Sequence, residues 1–315
     1  MKLIIQIPCF NEEKTLSDTI NDLPRKVLGF DSVEILVIDD GSTDKTFEKA
    51  KELGVEHIIQ LGSNRGLATA FKFGIEYALD LGADVIVNTD GDNQYCGKDI
   101  PKLTKPIVDK TADMVVGCRP IKNHPEFTFS KKILQILGSW TLRKISRTNI
   151  RDAASGFRGF SRETCQRLSI ISQFSYTMES LIQAGNSGLR IKSVDIRINK
   201  KTRDSRLFKN IPEFIFKSTS TIFMMFLLYR PGRFFTLCSS FFLIPSLIIG
   251  IRFIYLIYFN NIPDRTYIPS LILLSILSIT GFLFIAIGII GIKIKSLRQI
   301  QHEILYYTRK NKNKY

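Results

Sequence analysis

Two aspartates separated by a single residue, Asp90 and Asp92, are the side chains in this sequence best suited to chemistry. They directly follow the apolar run Val85–Thr89, and Gln94 comes two residues later. Two carboxylates on one turn can direct oxygen atoms at the same hard divalent ion, and Mg²⁺ or Mn²⁺ prefers a few carboxylates together with phosphate oxygens of a ligand. Because an Asp-x-Asp pair often occurs by chance in solvated loops, the prediction of a metal site depends on the strand that precedes it.

Acidic and polar residues also follow two earlier apolar runs. Pro8–Glu13 follows the first of them, and Asp39–Asp44 follows the second. In an open parallel sheet, ligands bind at the edge where the carboxyl ends of the strands meet. Three acidic clusters at that edge would repel an anionic ligand unless a cation lies between them, which again indicates a divalent ion.

The elements that must position these clusters alternate between strand and helix. Short runs rich in Ile and Val predict five strands: Leu3–Pro8, Glu34–Asp39, His57–Leu61, Val85–Thr89 and Met114–Gly117. Helical apolar spacing predicts four intervening helices: Glu13–Leu23, Thr43–Leu53, Leu67–Leu81 and Asp99–Lys110. This alternation predicts an α/β domain with a Rossmann-like, largely parallel sheet that is covered on both faces.

Charge and cysteine content narrow the classes of partner. The 315 residues include 44 Lys and Arg against 29 Asp and Glu, a formal net charge of +15. This charge predicts an anionic partner, which is nucleic acid, a phosphorylated ligand or a lipid surface. No nucleic-acid readout motif occurs, and the basic residues crowd the flanks of the apolar segments, so nucleic acid is not predicted. The 5 cysteines include no C-x-x-C pair, which excludes a zinc ribbon and a disulfide scaffold.

The C-terminal part of the chain contains two long apolar segments. One runs from Phe234 to Phe259 with Arg252 as its one charged residue, and the other is the uncharged stretch Ile268–Ile292. Because about 20 apolar residues span a bilayer, we predict two transmembrane helices rather than a pair of buried core helices. Basic residues precede the first segment and follow the second, which predicts a multi-pass protein of the inner membrane with both termini in the cytoplasm.

Six short motifs occur in an order that resembles a known family. They are Pro8-x-Phe10-Asn11-Glu12, Asp39-Asp40-Gly41-Ser42-x-Asp44, Asn64-Arg65-Gly66, Asp90-x-Asp92-x-Gln94, Gly117-Cys118-Arg119 and Asp152–Arg158. Together they resemble the inverting glycosyltransferases of family 2, which have the GT-A fold. Within that family they are similar to the subgroup of dolichol-phosphate mannosyltransferase and the bacterial polyprenyl-phosphate glycosyltransferases. The resemblance covers essentially the whole chain.

The resemblance implies a role for each group of residues. Those implied to bind the nucleotide sugar are Pro8, Phe10, Glu12, Asp39, Asp40, Gly41, Asn64, Asp90 and Gln94. Those implied to hold Mg²⁺ or Mn²⁺ are Asp90, Asp92 and Gln94. Those implied to bind the phosphate of a lipid acceptor are Arg119, Lys132, Ser139, Arg203 and Arg206. Asp92, Asp152 and Glu179 are implied to be catalytic, and the roles of the last two stay open.

Several of these residues also fit a purely structural interpretation. Asp44 could cap the start of the following helix or place a negative charge there. Asn64 and Gly66 could form a turn and have no other role, and Asp152 could cap a turn. Glu179 also fits a solvated charge on a helix. The sequence leaves both interpretations open for each residue.

The expected reaction is the inverting transfer of a hexose from a UDP- or GDP-sugar to polyprenyl phosphate. A lipid monophosphate is already anionic at neutral pH, so this acceptor needs a cationic site and no general base. One alternative is transfer to a hydroxyl of a lipid-linked oligosaccharide, which would need a base such as Asp152 or Glu179. The other alternative is a catalytically inactive, membrane-anchored protein that binds a nucleotide sugar. A homo-oligomer is compatible with the sequence.

The expected domain organisation has four parts. Residues 1–208 form the GT-A catalytic domain and residues 209–232 form amphipathic helices at the membrane interface. Residues 233–292 contain the two transmembrane helices, at about 234–259 and 268–292, and residues 293–315 form a basic cytoplasmic tail. The catalytic domain would face the cytoplasm, at the membrane surface that holds the acceptor.

Overall fold

The strands of the N-terminal part of the chain form one sheet that is mainly parallel. The computed structural model describes residues 1–120, 138–140, 143, 146, 148, 150–170, 176–199, 219–220, 223–224, 226–259 and 267–312. The chain divides into two units, one made of Met1–Ile222 and His302–Tyr315 and the other of Phe223–Gln301. The predicted interfacial helices at 209–232 lie mostly outside the described residues.

Seven strands and eight α-helices lie wholly within the described residues. The strands are β1 (Lys2–Cys9), β2 (Ser32–Asp39), β3 (His57–Gln60), β4 (Val85–Asn88), β5 (Met114–Cys118), β6 (Arg158–Ser161) and β7 (Ile191–Asp195). The helices are α1 (Leu16–Asp22), α2 (Thr46–Glu52), α3 (Leu67–Asp80), α4 (Ile100–Val108), α5 (Arg162–Arg167), α6 (Tyr176–Asn186), α7 (Pro231–Phe259) and α8 (Ile268–Lys312). The five predicted strands and four predicted helices of the first unit are thereby confirmed, with ends that differ by a few residues.

The order of strands in the sheet is β3-β2-β1-β4-β6-β5-β7. β1 is parallel to both β2 and β4, and β2 is parallel to β3. β6 is antiparallel to its neighbours β4 and β5, and β7 is parallel to β5. The predicted α/β domain with a largely parallel sheet is confirmed, and β6 and β7 are strands that the sequence patterns did not indicate.

The core of the first unit lies against the central strands. Leu3, Ile5 and Ile7 of β1 pack with Val85 and Val87 of β4, and all five are fully buried. Such continuous apolar strands are typical of a sheet that is covered on both faces. On one face α3 approaches β1 closely, since a Cβ at Gly74 would lie 2.5 Å from the Gln6 Oε1 atom. The buried central strands give the loops at their ends a rigid base.

The second unit consists mainly of two long apolar helices. Both α7 and α8 are long and apolar enough to cross a bilayer, by length and composition. They pack closely through small residues, since the Ser246 and Ser278 Oγ atoms are 2.7 Å apart and a Cβ at Gly281 would lie 2.5 Å from Leu243 Cγ. α8 does not end near residue 292 but continues to Lys312, so most of the predicted tail is helical.

Candidate functional site

The first two polar motifs meet at the carboxyl ends of β1 and β2, where Cys9 pairs in register with Asp39. The Asn11 N–H donates a hydrogen bond to Ser42 Oγ (2.9 Å), and Asn11 Oδ1 accepts one from the Thr43 N–H (2.8 Å). Asn11 has a φ of 57°, a left-handed conformation that Asn tolerates better than most residues. The two loops therefore form one hydrogen-bonded unit at the edge of the sheet.

The Asp90-x-Asp92 loop is joined to the loop after β1 by threonine hydroxyls. The Thr15 Oγ1 atom lies 2.8 Å from Glu12 Oε2 and 2.9 Å from the Gly91 carbonyl oxygen. The Thr19 hydroxyl donates to the same Gly91 carbonyl at 3.0 Å. The loop between Asp90 and Asp92 is thereby fixed beside Glu12, as expected from the convergence of strand ends.

The buried thiol of Cys9 lies where the acidic groups converge. Burial raises the pKa of Cys9 well above its usual value, and the negative charges of nearby carboxylates raise the pKa further. The four carboxylates that do so belong to Glu12, Asp39, Asp90 and Asp92. The structure therefore brings residues from all three predicted clusters to one place.

Asp39 and Asp40 hold the turns around the site. Asp39 is fully buried, and its Oδ1 atom accepts a hydrogen bond from the Ser42 N–H at 3.0 Å. The Asp40 carboxylate accepts from the Arg65 N–H (2.9 Å) and the Gly66 N–H (2.8 Å). Burial raises the pKa of Asp40, although these two amides oppose the shift. Both Asp40 oxygens thus face backbone amides, which supports a turn-forming role.

Other residues of the predicted polar motifs also form turns. Gly41 has a φ of 69°, and a Cβ there would lie 2.5 Å from the Ser63 backbone, so this position requires glycine. Asn64 Oδ1 accepts from the Gly66 N–H at 3.1 Å. Asp44 Oδ1 accepts from the Thr46 N–H at 3.1 Å, at the start of α2. The structural interpretations of Asn64 and Asp44 therefore agree with their contacts.

Asp90, Asp92 and Gln94 are half-buried residues of the loop that follows β4. The Gln94 N–H donates to Asp92 Oδ1 at 3.2 Å, which closes a tight turn. In the described part of the chain, no three His, Cys, Asp or Glu side chains form a group that could hold a metal ion. Two carboxylates with ligand phosphates are a usual coordination for Mg²⁺, so the residues present fit a site that a bound diphosphate completes.

The Gly156 peptide lies against Asp90. A Cβ at Gly156 would lie 3.0 Å from Asp90 Oδ1 and 2.7 Å from Tyr176 Oη, so only glycine fits without a shift. The Gly156 N–H donates to Tyr95 Oη (3.0 Å), and Asn88 Nδ2 donates to the Gly156 carbonyl (2.9 Å). Asn88, Tyr95 and Tyr176 are site residues that sequence reasoning missed. The polar Asn88 at the end of an apolar strand was the available signal.

The half-buried Arg119 and the buried Asp152 form an ion pair. Arg119 Nε donates to Asp152 Oδ2 at 2.7 Å and Nη2 donates to Oδ1 at 3.0 Å, a bidentate geometry. The Asp152 side chain is 1% exposed. Burial alone would lower the pKa of Arg119, but the Asp152 carboxylate reverses this, and the pKa is raised. The Asp152 carboxylate therefore orients the Arg119 guanidinium.

Two further predicted residues, Ser139 and Glu179, are buried. Ser139 Oγ accepts from the Ala153 N–H at 3.4 Å. Glu179 on α6 is 1% exposed, and Gln183 Nε2 donates to Glu179 Oε1 at 3.1 Å. The interpretation of Glu179 as a solvated helix charge is wrong, because tertiary packing covers this face of α6. The predicted phosphate ligands Lys132, Arg203 and Arg206 lie outside the described residues.

Arg158 is a fully buried cation that the sequence placed in a motif without a role. Its guanidinium donates to the carbonyls of Ser155 (2.7 Å), Ala153 (2.7 Å) and Thr177 (2.6 Å). It also donates to Ser180 Oγ at 3.0 Å. Burial lowers the pKa of Arg158. This side chain holds the segment after Asp152 onto α6.

Comparison with known proteins agrees with this geometry. A family model described as "Glycosyl transferase family 2" matches residues 4–169. The UDP-N-acetylglucosamine–dolichyl-phosphate N-acetylglucosaminyltransferase of Methanococcus voltae is 32% identical over 213 residues, which cover 61% of this chain and 83% of that protein. The undecaprenyl-phosphate mannosyltransferase of Micrococcus luteus is 26% identical over 206 residues, 62% of this chain and 83% of that protein.

A solved structure supports the fold independently. It is glucosyl-3-phosphoglycerate synthase from Mycobacterium tuberculosis in complex with Mn²⁺, UDP and phosphoglyceric acid. The TM-score is 0.54 at 17% identity, and the match covers 72% of this chain and 77% of that chain. Since the matched family model covers more than half of the sequence, the chain belongs to glycosyl transferase family 2 and is a glycosyltransferase.

Proposed function

We propose that this glycosyltransferase moves a hexose from a UDP- or GDP-sugar to polyprenyl phosphate at the cytoplasmic face of a membrane, with inversion at the anomeric carbon. The observation that supports it most is the convergence of the three acidic loops at the carboxyl edge of the sheet. Cys9 pairs in register with Asp39, and a Cβ at Gly91, between Asp90 and Asp92, would lie 2.9 Å from Cys9 Sγ and 3.3 Å from Glu12 Cγ. The relatives named above act on dolichyl phosphate and undecaprenyl phosphate according to their names. The two apolar helices fit an acceptor that resides in the bilayer.

The donor would bind at the edge formed by β1, β2 and β4. Pro8, Phe10 and Glu12 would line the nucleoside, and Asp39 would contact the ribose or the base. Asp90 and Asp92, with Gln94, would hold Mg²⁺ or Mn²⁺ together with the donor diphosphate. That ion would supply the positive charge that stabilises the departing nucleoside diphosphate. The solved synthase contains Mn²⁺ and UDP in the same fold, which supports a divalent ion here.

The acceptor phosphate would need orientation but no deprotonation. One of its ionised oxygens would form a bond to the anomeric carbon while the bond from that carbon to the diphosphate oxygen breaks, so the nucleoside diphosphate leaves with the electron pair. Arg119 would bind the acceptor phosphate, and Asp152 would fix the orientation of its guanidinium through the two hydrogen bonds. Asp152 is then a positioning residue rather than a base.

The membrane arrangement follows from the charges along the chain. Basic residues flank both apolar segments, and we place both termini and residues 1–208 in the cytoplasm, with 209–232 at the membrane interface and 293–315 as a basic cytoplasmic segment. Confinement to the membrane surface would raise the effective concentration of the lipid acceptor.

A transfer assay tests the proposal. Membranes that contain the protein are incubated with a panel of labelled UDP- and GDP-sugars and polyprenyl phosphate, and the lipids are extracted. We expect one donor to label the phosphate lipid with the opposite anomeric configuration. Labelling that requires a lipid-linked oligosaccharide, or no labelling with any donor, would contradict the proposal. Membranes with the Asp92→Ala variant serve as the matched negative control.

A further inference from the structure

A short segment after β7 lies along the loop that carries the predicted metal ligands, Asp90–Cys96. Tyr95 and Ile198 form an antiparallel bridge. The Asn199 N–H donates to the Gln94 carbonyl at 2.9 Å, and the Cys96 N–H donates to the Arg197 carbonyl at 3.4 Å. The loop therefore has backbone hydrogen bonds to this segment on both sides of Tyr95.

The side chain of Asn199 adds a second set of contacts to the same loop. Its Nδ2 atom lies 3.1 Å from Asn93 Oδ1 and 3.3 Å from the Tyr95 carbonyl oxygen. It also lies 3.4 Å from Asp22 Oδ2, and a primary amide has only two hydrogens to share among these acceptors. One half-buried side chain thus contacts both residues that flank Gln94.

The turn that Asn199 contacts contains a residue in a left-handed conformation. Asn93 has a φ of 55°, in the left-handed region that non-glycine residues rarely adopt. Such conformations persist when surrounding contacts hold them, and they occur often at functional sites. Asn93 lies between Asp92 and Gln94, so a change in this turn would move both predicted ligands.

An ion pair anchors the segment itself. Arg197 Nη2 donates to Asp99 Oδ1 at 2.7 Å, and the Arg197 N–H donates to Asp99 Oδ2 at 2.7 Å. Asp99 directly precedes α4, so the segment is fixed to the body of the domain. Asn199 is therefore held in place and can in turn hold the loop.

We propose that Asn199 is a positioning residue whose side-chain amide maintains the left-handed turn at Asn93 and so sets the positions of Asp92 and Gln94 for a divalent ion and the donor diphosphate. This inference rests on the proposed function. Contacts that orient metal ligands typically contribute about 10- to 100-fold to metal affinity or activity, and Asn199 would act in this way.

The test of this inference is the affinity of the full-length protein for Mn²⁺, measured by electron paramagnetic resonance in the presence of UDP or GDP. We compare the wild type with Asn199→Ala and with Asn186→Ala as a matched control. The control also removes a side-chain amide that makes a hydrogen bond, since the exposed Asn186 donates through Nδ2 to the Ile182 carbonyl of its own helix at 2.9 Å. We expect Asn199→Ala to bind Mn²⁺ about tenfold or more weakly, and Asn186→Ala to bind it like the wild type.

Steady-state kinetics separate positioning from general destabilisation. Asn199→Ala should raise the KM for the donor, leave the KM for polyprenyl phosphate unchanged and regain activity in excess Mn²⁺. If Asn199→Ala does not accumulate, Asn93→Ala removes the same contact and disfavours the same turn, and it should show the same weakened binding.

Failure of this inference and failure of the proposed function give different experimental results. Wild-type affinity for Mn²⁺ in both the Asn199→Ala and Asn93→Ala variants would overturn the inference alone. A reduced thermal midpoint with unchanged Mn²⁺ affinity and unchanged donor KM would also overturn it, because Asn199 would then be merely structural. A wild-type protein that transfers sugar but binds no Mn²⁺ would overturn the proposed metal site, and the inference with it.

Discussion

The proposed site has a donor side, formed by the loops after β1, β2 and β4, and an acceptor side, formed by Arg119 and Asp152. The two sides hold their carboxylates in different ways. On the donor side, after β1 and β2, Asp40 accepts hydrogen bonds from backbone amides and Glu12 from a threonine hydroxyl. On the acceptor side, Asp152 is paired with the guanidinium of Arg119. A neutral N–H or hydroxyl group that hydrogen-bonds to a carboxylate leaves its negative charge in place, whereas the guanidinium of an ion pair cancels that charge. The donor side is therefore suited to a cation that arrives with the ligand, and the acceptor side supplies its own.

The largest expected effect comes from removing a donor-side charge. Asp92→Asn keeps the size of the side chain but weakens its hold on a divalent ion, so we expect kcat to fall about 10³-fold. Steady-state transfer assays at saturating Mn²⁺ measure this. Asp109→Asn, which changes an exposed carboxylate paired with Lys105, is the control and should retain full activity. Equal activity in both variants would contradict the claim that the donor side depends on a cation held by Asp92.

The next effect concerns Arg158, the buried cation that holds the segment after Asp152 onto α6. Arg158→Met would leave the Ser155, Ala153 and Thr177 carbonyls without their buried donor. The cost is about 3 kcal/mol, which corresponds to a fall in Tm of roughly 6–12 °C. Thermal unfolding in detergent measures it. Arg25→Met, at an exposed pair with Glu56, should shift the Tm by less than about 2 °C. A similar shift in both variants would contradict the role of Arg158.

A smaller effect tests the geometry of the ion pair. Arg119→Lys keeps the charge but loses the bidentate contact with Asp152, so we expect the KM for polyprenyl phosphate to rise about tenfold. The KM for the nucleotide sugar should not change, and kinetics with each substrate varied in turn measure both constants. A rise in the donor KM instead would place Arg119 on the donor side.

The smallest effect is a dependence of stability on pH. Burial opposes ionisation of Asp99, but hydrogen bonds from Arg197 lower its pKa to about 2. Because the folded pKa is below the unfolded value, the stabilisation is present above pH about 4 and is lost as the pH falls toward 2, a change of about 1–2 kcal/mol. Thermal unfolding across this range should show the loss in the wild type and a weaker dependence in Arg197→Gln. The same acid dependence in both proteins would exclude the pair as its source.

The sequence predicted the strands and loops of the proposed donor side better than the contacts of the proposed acceptor side, for physical reasons. β1, β2 and β4 are continuous apolar runs whose ends carry the acidic motifs, so the local pattern located both the strands and the polar loops that follow them. β6 begins at the buried Arg158 and contains Gly159, and no apolar periodicity marks it. Contacts such as Arg119 with Asp152 or Asn88 with Gly156 join residues far apart in the chain, and no local spacing indicates them.

The ends of two helices were also not predictable from local sequence patterns. The first helix was predicted from Glu13 but begins at Leu16. Glu12–Thr15 forms a turn in which the Glu12 carbonyl accepts from the Thr15 and Leu16 N–H groups, and the Thr15 hydroxyl donates to the Gly91 carbonyl of a neighbouring loop. α8 was predicted to end at residue 292, where charged residues begin, but it continues to Lys312. Charge marks the end of an apolar segment and not the end of a helix.

The most direct test of a cation-dependent donor side is sugar transfer to polyprenyl phosphate with divalent ions removed and then returned. Membranes with the wild-type protein are treated with EDTA, assayed with the labelled donor, and assayed again after Mn²⁺ or Mg²⁺ is added. The account predicts that labelled lipid disappears with EDTA and returns with the ion in the wild type, but not in Asp92→Ala. Full transfer in EDTA would contradict it.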